Sequence, residues 1–296
     1  MSDAASARVP ALVVSGFLGA GKTSVVRHLL ASAQRAGERV AVISNELGEL
    51  GIDAALLGAG EHAFVELAGG CVCCKLADDL VDALERLYQS ARPERVIVET
   101  SGAALPHDTQ LNFWREPVAR WIGEDLVVVV VNAEQVAAGR DLEGLFEDQV
   151  SSADLLLLGQ LDRAPAAALP GVRRKLAELA PGAPIVDVLH GAVDPRLLFA
   201  PDVAELRAAR ARDGRAHAHV HSHESFRADE LAVEPGLAPG ALLERLRALG
   251  ALRVKGFAST SEGVRLVQGV GERIELEPAS AAPAGLLNRL VVIRRA

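Results

Sequence analysis

The sequence predicts an α/β protein, a P-loop parallel sheet with helices on both faces, followed by a small C-terminal α+β domain. Three observations carry this. From residue 9 to about residue 188, short aliphatic runs alternate with helix-length amphipathic segments, the pattern of a parallel sheet covered by helices. A glycine-rich turn ending in Lys22-Thr23 joins the first such run to the first such helix. A polar stretch at 213–223 then interrupts the aliphatic pattern, and shorter alternating runs resume after it.

The aliphatic runs place strands at 9–15, 39–44, 63–67, 95–99, 126–132, 154–159 and 185–188. Between the first two, residues 22–36 put Val25, Val26, Leu29, Leu30 and Ala33 on one helical face and stop at Gly37, a residue suited to a left-handed helix end. Residues 75–90 repeat the pattern with Leu76, Leu80, Leu84 and Leu87. A last helix is expected after Pro195, running to about Arg212. The domain reading is therefore 1–212, a linker at 213–223, and 224–296, the last with a helix at 241–249 and strands at 253–258, 263–269, 273–276 and 288–294.

Composition narrows the function. A chain of 296 residues, half of them apolar and 24% charged, is ample for two cored domains and excludes disorder for its bulk. Aromatics reach only 3%, so no stacking platform for single-stranded nucleic acid is evident. The net charge of −8 disfavours general binding to nucleic acid or anionic membranes. The longest aliphatic run, 126–131, is far shorter than the ~20 residues of a membrane helix. The N-terminus carries no signal-peptide pattern, with Asp3 and only Arg8 ahead of the first apolar run. All three cysteines, Cys71, Cys73 and Cys74, fall within four positions, where they cannot staple distant parts of a fold. The expected compartment is a reducing one, the cytoplasm.

Gly16-Phe-Leu-Gly-Ala-Gly-Lys22-Thr23 has the spacing of a phosphate loop and stands between a buried strand and a helix. In that context Gly16, Gly19, Ala20, Gly21, Lys22, Thr23 and Ser24 are expected to wrap phosphate oxygens with backbone N–H groups, while Lys22 neutralises the β and γ phosphates and Thr23 coordinates Mg²⁺. A mere glycine-rich turn would not need strand, loop and helix to agree. A second acid should hold the magnesium. Glu99 closes the run 95–99, and Gly102 follows it at a distance suited to sensing a γ-phosphate. The polar segment from Asn45 to Asp53 is expected to be a first switch, with Asp53 on the magnesium or water side.

Cys71, Cys73 and Cys74 emerge between a strand and a helix, where a helix N-terminus and a bound cation both favour thiolates. They suit a soft or borderline metal, Zn²⁺ first, with a fourth ligand from Glu46, Glu49, a histidine or substrate; a redox pair is the alternative. His217, His219, His221 and His223 alternate strictly and share one face of an extended chain, with ~7 Å between neighbours. The tract reads either as a solvated linker or as a second, more labile metal site.

These residues resemble the CobW-like family of P-loop metallochaperone GTPases, relatives of the nickel-inserting GTPases for hydrogenase and urease. The resemblance rests on residues 16–23, Asn45-Glu46, Gly70-Cys-Val-Cys-Cys74, Glu99-Thr-Ser-Gly102, Asp148-Gln149, Ala153-Asp154, the His-rich linker and Lys255-Gly256-Phe257, and it spans nearly the whole chain. It implies GTP hydrolysis with Mg²⁺, binding of a transition metal, Zn²⁺ or Co²⁺, and its transfer to a client metalloprotein; hydrolysis is expected to be slow because no arginine finger is identifiable in cis, and a homo-oligomer is left open. It also implies that Asp162 reads guanine, although the family's Asn-Lys-x-Asp aligns here with Gly159-Gln160-Leu161-Asp162. The competing readings are a metal buffer or client-binding adaptor with vestigial hydrolysis, and an ATP-dependent enzyme.

Overall fold

The computed structural model describes residues 8–44, 63–66, 73–212 and 226–296, with 63–66, 73–77 and 209–212 described by their backbone. It divides into two compact units, Met1–Ala180 with Val188–Val193, and Pro181–Asp187 with Asp194–Ala296.

In the first unit, β1 (Val9–Ser15), β2 (Val40–Ser44), β3 (Ala63–Glu66), β4 (Arg95–Glu99), β5 (Ile122–Asn132) and β6 (Leu155–Gly159) form parallel pairs in the order β3-β2-β4-β1-β5-β6. Apart from β3, which is described by its backbone, their central residues are buried and mostly Val, Ile and Leu, as a sheet covered on both faces requires. The connecting helices are α1 (Lys22–Ala36), α2 (Cys73–Ala91), α3 (Pro106–Gln110), α4 (Ala133–Ala137), α5 (Leu145–Ser151) and α6 (Leu169–Leu179). Helix α1 buries Val25, Val26, Leu29, Leu30 and Ala33 and ends at Gly37, whose left-handed backbone donates to Ala33 O and Gln34 O, as the sequence predicts.

Strand β5 begins four residues before the expected run at 126, because Gly123, Glu124 and Asp125 break the aliphatic pattern where the strand is only half-buried. Asp154 fixes the other side of this region: its carboxylate accepts from Val127 N–H at 2.8 Å, and its own N–H donates to Val127 O at 2.9 Å. The Ala153-Asp154 motif is thus a strand clasp.

The second unit contains β7 (Ile185–Asp187), α7 (Pro195–Leu198), α8 (Val203–Arg212), β8 (Phe226–Ala232), α9 (Pro239–Arg247), β9 (Arg253–Thr260), β10 (Gly263–Val270), β11 (Arg273–Pro278) and β12 (Arg289–Arg295). An antiparallel sheet runs β11-β10-β9-β12-β8. On one face, Leu242 and Leu246 of α9 pack with Val254, Ala258, Val267, Leu290 and Val292. Two features differ from expectation. The single helix expected after Pro195 is two, broken at Pro201, and the second opens on a reciprocal cap in which Glu205 N–H donates to Asp202 Oδ1 at 2.7 Å and Asp202 N–H to Glu205 Oε2 at 2.6 Å. Strand β8 escaped sequence reading because Arg227, Asp229 and Glu230 interrupt its apolar pattern; it is an edge strand, where charge is normal.

That edge is held by ion pairs. Glu230 accepts from Arg207 at 2.6 Å and from Arg289 at 2.8 Å. The hydrogen bonds from Arg207, against slight desolvation and with the positive charge of Arg207 and Arg289, hold the Glu230 carboxyl below the usual glutamate range. The folded value is lowered, so this contribution is present above the unfolded value of about 4.3 and is lost as pH falls through the folded one. Glu230→Gln should therefore lower the melting temperature at neutral pH by at most about 3 °C, as suits pairs this exposed. The difference from wild type should vanish in thermal melts run in acid. A difference that grows in acid would show that the pairing does not act this way.

Candidate functional site

Strand β1 delivers the chain into its phosphate loop at Gly16, which has φ 139° and lies so close to Val130 O that a Cβ would strike it. No other residue fits there. The loop closes with Ala20 N–H donating to Phe17 O at 3.1 Å, and Gly21, at φ 104°, hands over to α1 without any side-chain cap. A 15-residue helix thus presents its first N–H groups and its positive dipole end to whatever the loop encloses. Lys22 is 3% exposed and folds its Nζ back to 3.5 Å from Phe17 O, over the loop. Thr23 and Ser24 follow on the first turn.

The acid expected at the end of the fourth strand is in place. Strand register sets Glu99 between Val14 of β1 and Ser44 of β2. Glu99 is 1% exposed; Thr23 Oγ1 donates to its Oε1 at 2.8 Å and Ser44 Oγ to its Oε2 at 3.2 Å. Hard oxygen donors converging at the mouth of a phosphate loop suit Mg²⁺, so Thr23 and Glu99 fit the role assigned from sequence. One residue on, Thr100 donates to Ser15 Oγ at 3.0 Å, pinning the chain as it leaves the sheet. It then turns through Gly102, where a Cβ would come within 2.8 Å of Leu18 N, so the predicted sensor glycine rests directly on the phosphate loop.

At the far side of the loop stands the segment that aligns with the base motif. Gln160, at φ 54°, donates from Nε2 to Gly19 O at 2.9 Å, tying the end of β6 to the phosphate loop. The amide supplies a tether that residue type alone does not disclose. Asp162 lies two residues beyond, exposed in the turn closed by Arg163 N–H on Gln160 O. A tight turn, Leu189 to Ala192, seats Gly191 against the backbone of Ser24 so closely that a Cβ is excluded. In the sequence only Gly191 signals this turn, since Leu189 and Ala192 on either side carry no turn preference.

The metal residues are placed less fully. Cys73 and Cys74 open α2, the helix that follows β3 in the chain. Their strand, β3, stands three places from β1 in the sheet order, roughly 14 Å at ordinary strand spacing. Cys71, Glu46, Glu49, Asp53, His217, His219, His221 and His223 lie outside the described residues. Among the described residues, no group of three or more His, Cys, Asp or Glu side chains is arranged to hold a metal ion, and no helix is long and apolar enough to cross a membrane.

A buried lysine in a glycine loop, an uncapped helix and a threonine paired with a strand-end carboxylate define a P-loop nucleotide-binding domain. The family model described as CobW/HypB/UreG, nucleotide-binding domain, matches residues 10–187, and that for the cobalamin synthesis protein cobW C-terminal domain matches 230–296; the chain belongs to this family. It is similar to the zinc chaperone CobW of Sinorhizobium sp., at 34% identity over 97% of this chain and 92% of that protein. The zinc chaperone CobW of Pseudomonas aeruginosa is 36% identical over 97% of this chain and 88% of its own. Among solved structures, Zn(II)-bound YjiA GTPase from E. coli shares the fold with a TM-score of 0.52 at 22% identity, covering 97% of this chain and 93% of that one.

Proposed function

We propose that this chain is a GTP-hydrolysing metallochaperone. It binds a transition metal, zinc first and cobalt second, through Cys71, Cys73 and Cys74, and yields it to a client metalloprotein as its nucleotide state changes. The observation that carries the reading is the convergence of Thr23 and Ser44 on the buried Glu99, three residues before the glycine that rests on the phosphate loop. The names of its relatives, zinc chaperones, support the cargo.

In this reading Lys22 and the N-terminal N–H groups of α1 neutralise and orient the phosphates. Thr23 and Glu99 would hold magnesium, with Asp53 the further acid; when bound there, the ion offsets charge developing on the phosphate oxygens. In the sheet order, the ends of β2 and β4 stand between β1 and β3. In this reading the segment that β4 feeds, Thr100 to Gly102, and the expected first switch, Asn45 to Asp53, would carry a change at the γ-phosphate to the thiol segment. The histidines at 217–223 would form a second, labile site or remain a solvated linker.

Base choice separates this reading from that of an ATP-dependent enzyme. Asp162 can accept from guanine N1–H and the 2-amino group, donors that adenine lacks there, while Gly159 offers no side chain. We expect GTP to bind better than ATP, and Asp162→Asn to weaken GTP by about tenfold or more with ATP unchanged. Competition of both nucleotides against a fluorescent GTP analogue checks this. Equal displacement by GTP and ATP in the wild type would move the ATP reading ahead.

A further inference from the structure

Gln149 sits in α5, an element that contributes nothing to the phosphate loop, and it is 1% exposed. Its Nε2 donates to two backbone carbonyls at once, Gly102 O at 3.1 Å and Ala104 O at 2.9 Å. Both belong to the turn that Ala104 N–H closes on Ser101 O. The same turn is the one that packs Gly102 onto Leu18. One side-chain amide thus ties α5 to the turn that rests on the phosphate loop.

The orientation of that amide is fixed by its partners. Exchanging its nitrogen and oxygen would set Oε1 against two carbonyl oxygens, with no proton between them. Held as it is, Gln149 leaves Oε1 buried and accepting no hydrogen bond from the described residues. A methionine would fill nearly the same volume without burying that unmatched acceptor. The glutamine goes against packing preference, and what it secures in exchange is the pair of carbonyls.

We propose that Gln149 is the positioning residue that holds the Ser101–Ala104 turn at the height where the Gly102 N–H meets a γ-phosphate, and so sets the preference of this chain for GTP over GDP. It touches no reacting atom. The inference rests on the reading of the chain as a GTPase with Gly102 as sensor.

The test uses the full chain and compares affinities for fluorescent GDP and a nonhydrolysable GTP analogue, with single-turnover GTP cleavage alongside. Gln149→Met should lose about tenfold in affinity for the GTP analogue relative to GDP, and a similar factor in cleavage, with GDP affinity unchanged. A folded Gln149→Met protein whose ratio and cleavage match wild type would overturn the proposal, as would equal weakening of both nucleotides, the mark of a merely structural role. Gln149→Glu supplies an independent arm. Ionised, that side chain repels both carbonyls; protonated, it donates again, and burial brings its titration into an accessible range. The GTP-to-GDP preference should therefore recover about tenfold from about pH 8 to about pH 5.5 in this variant and stay level in wild type. A flat profile in the variant would overturn the proposal even if the methionine variant did not fold. A wild type that neither binds nor cleaves GTP would remove the nucleotide reading itself, and the proposal with it; wild-type cleavage beside unaffected variants would remove the proposal alone.

Discussion

Lys22→Ala should reduce GTP turnover by at least about a hundredfold while leaving the fold intact. Lys22 is the only cation within the phosphate loop, is 3% exposed and lies with its Nζ 3.5 Å from Phe17 O, already folded over the loop. Its removal deletes the charge that offsets the β and γ phosphates, whereas the loop conformation depends on glycines and on the Phe17–Ala20 hydrogen bond, which do not involve the side chain. Single-turnover hydrolysis with circular dichroism and a thermal melt separates the two effects. Undiminished hydrolysis by a folded Lys22→Ala protein would mean that the loop is not the site of turnover.

The second large effect concerns metal. Cys73→Ser together with Cys74→Ser should remove the stoichiometric zinc, about one equivalent per chain, because these residues open a 19-residue helix whose N-terminus favours the thiolate form and because serine is a far poorer ligand for a borderline cation. Deleting residues 217–223 should leave that equivalent in place and weaken only a second, looser site, since an alternating histidine tract has no geometry of its own. Metal analysis of the purified variants decides between them. Zinc retained in full by the double serine variant would shift the tight site away from these thiols.

How far the sequence disclosed the molecule depends on the kind of signal. The parallel sheet was legible because most of its strands are runs rich in Val, Ile or Leu with helix-length text between, and α1 could be bounded at both ends, by Lys22 and by Gly37. Glu99 was legible for a geometric reason: strand ends on one edge of a parallel sheet converge, and an acid there beside a phosphate loop has one obvious use. Strand β8 was not, since its hydrogen bonds come from the backbone while its side chains make ion pairs at an edge. The break between α7 and α8 was written in Pro201-Asp202 and Glu205, a capping signal within a helix-rich stretch. Gln149 and Gln160 stand in motifs the sequence shows, but their contacts lay beyond reach for another reason. Each acts through one amide on carbonyls 45, 47 or 141 positions away, contacts that no local pattern specifies.

The central claim is that nucleotide state and metal affinity are linked in one chain, and a cobalt titration read by thiolate charge-transfer absorption measures it most directly. Run without nucleotide, with GDP and with a nonhydrolysable GTP analogue in the presence of magnesium, it should give three separable curves, the GTP and GDP forms differing by about fivefold or more. Linkage then requires cobalt to shift the affinity for the GTP analogue relative to GDP by the same factor. Three superimposable curves would contradict the account and leave a protein that binds metal and nucleotide independently, a buffer rather than a gated chaperone.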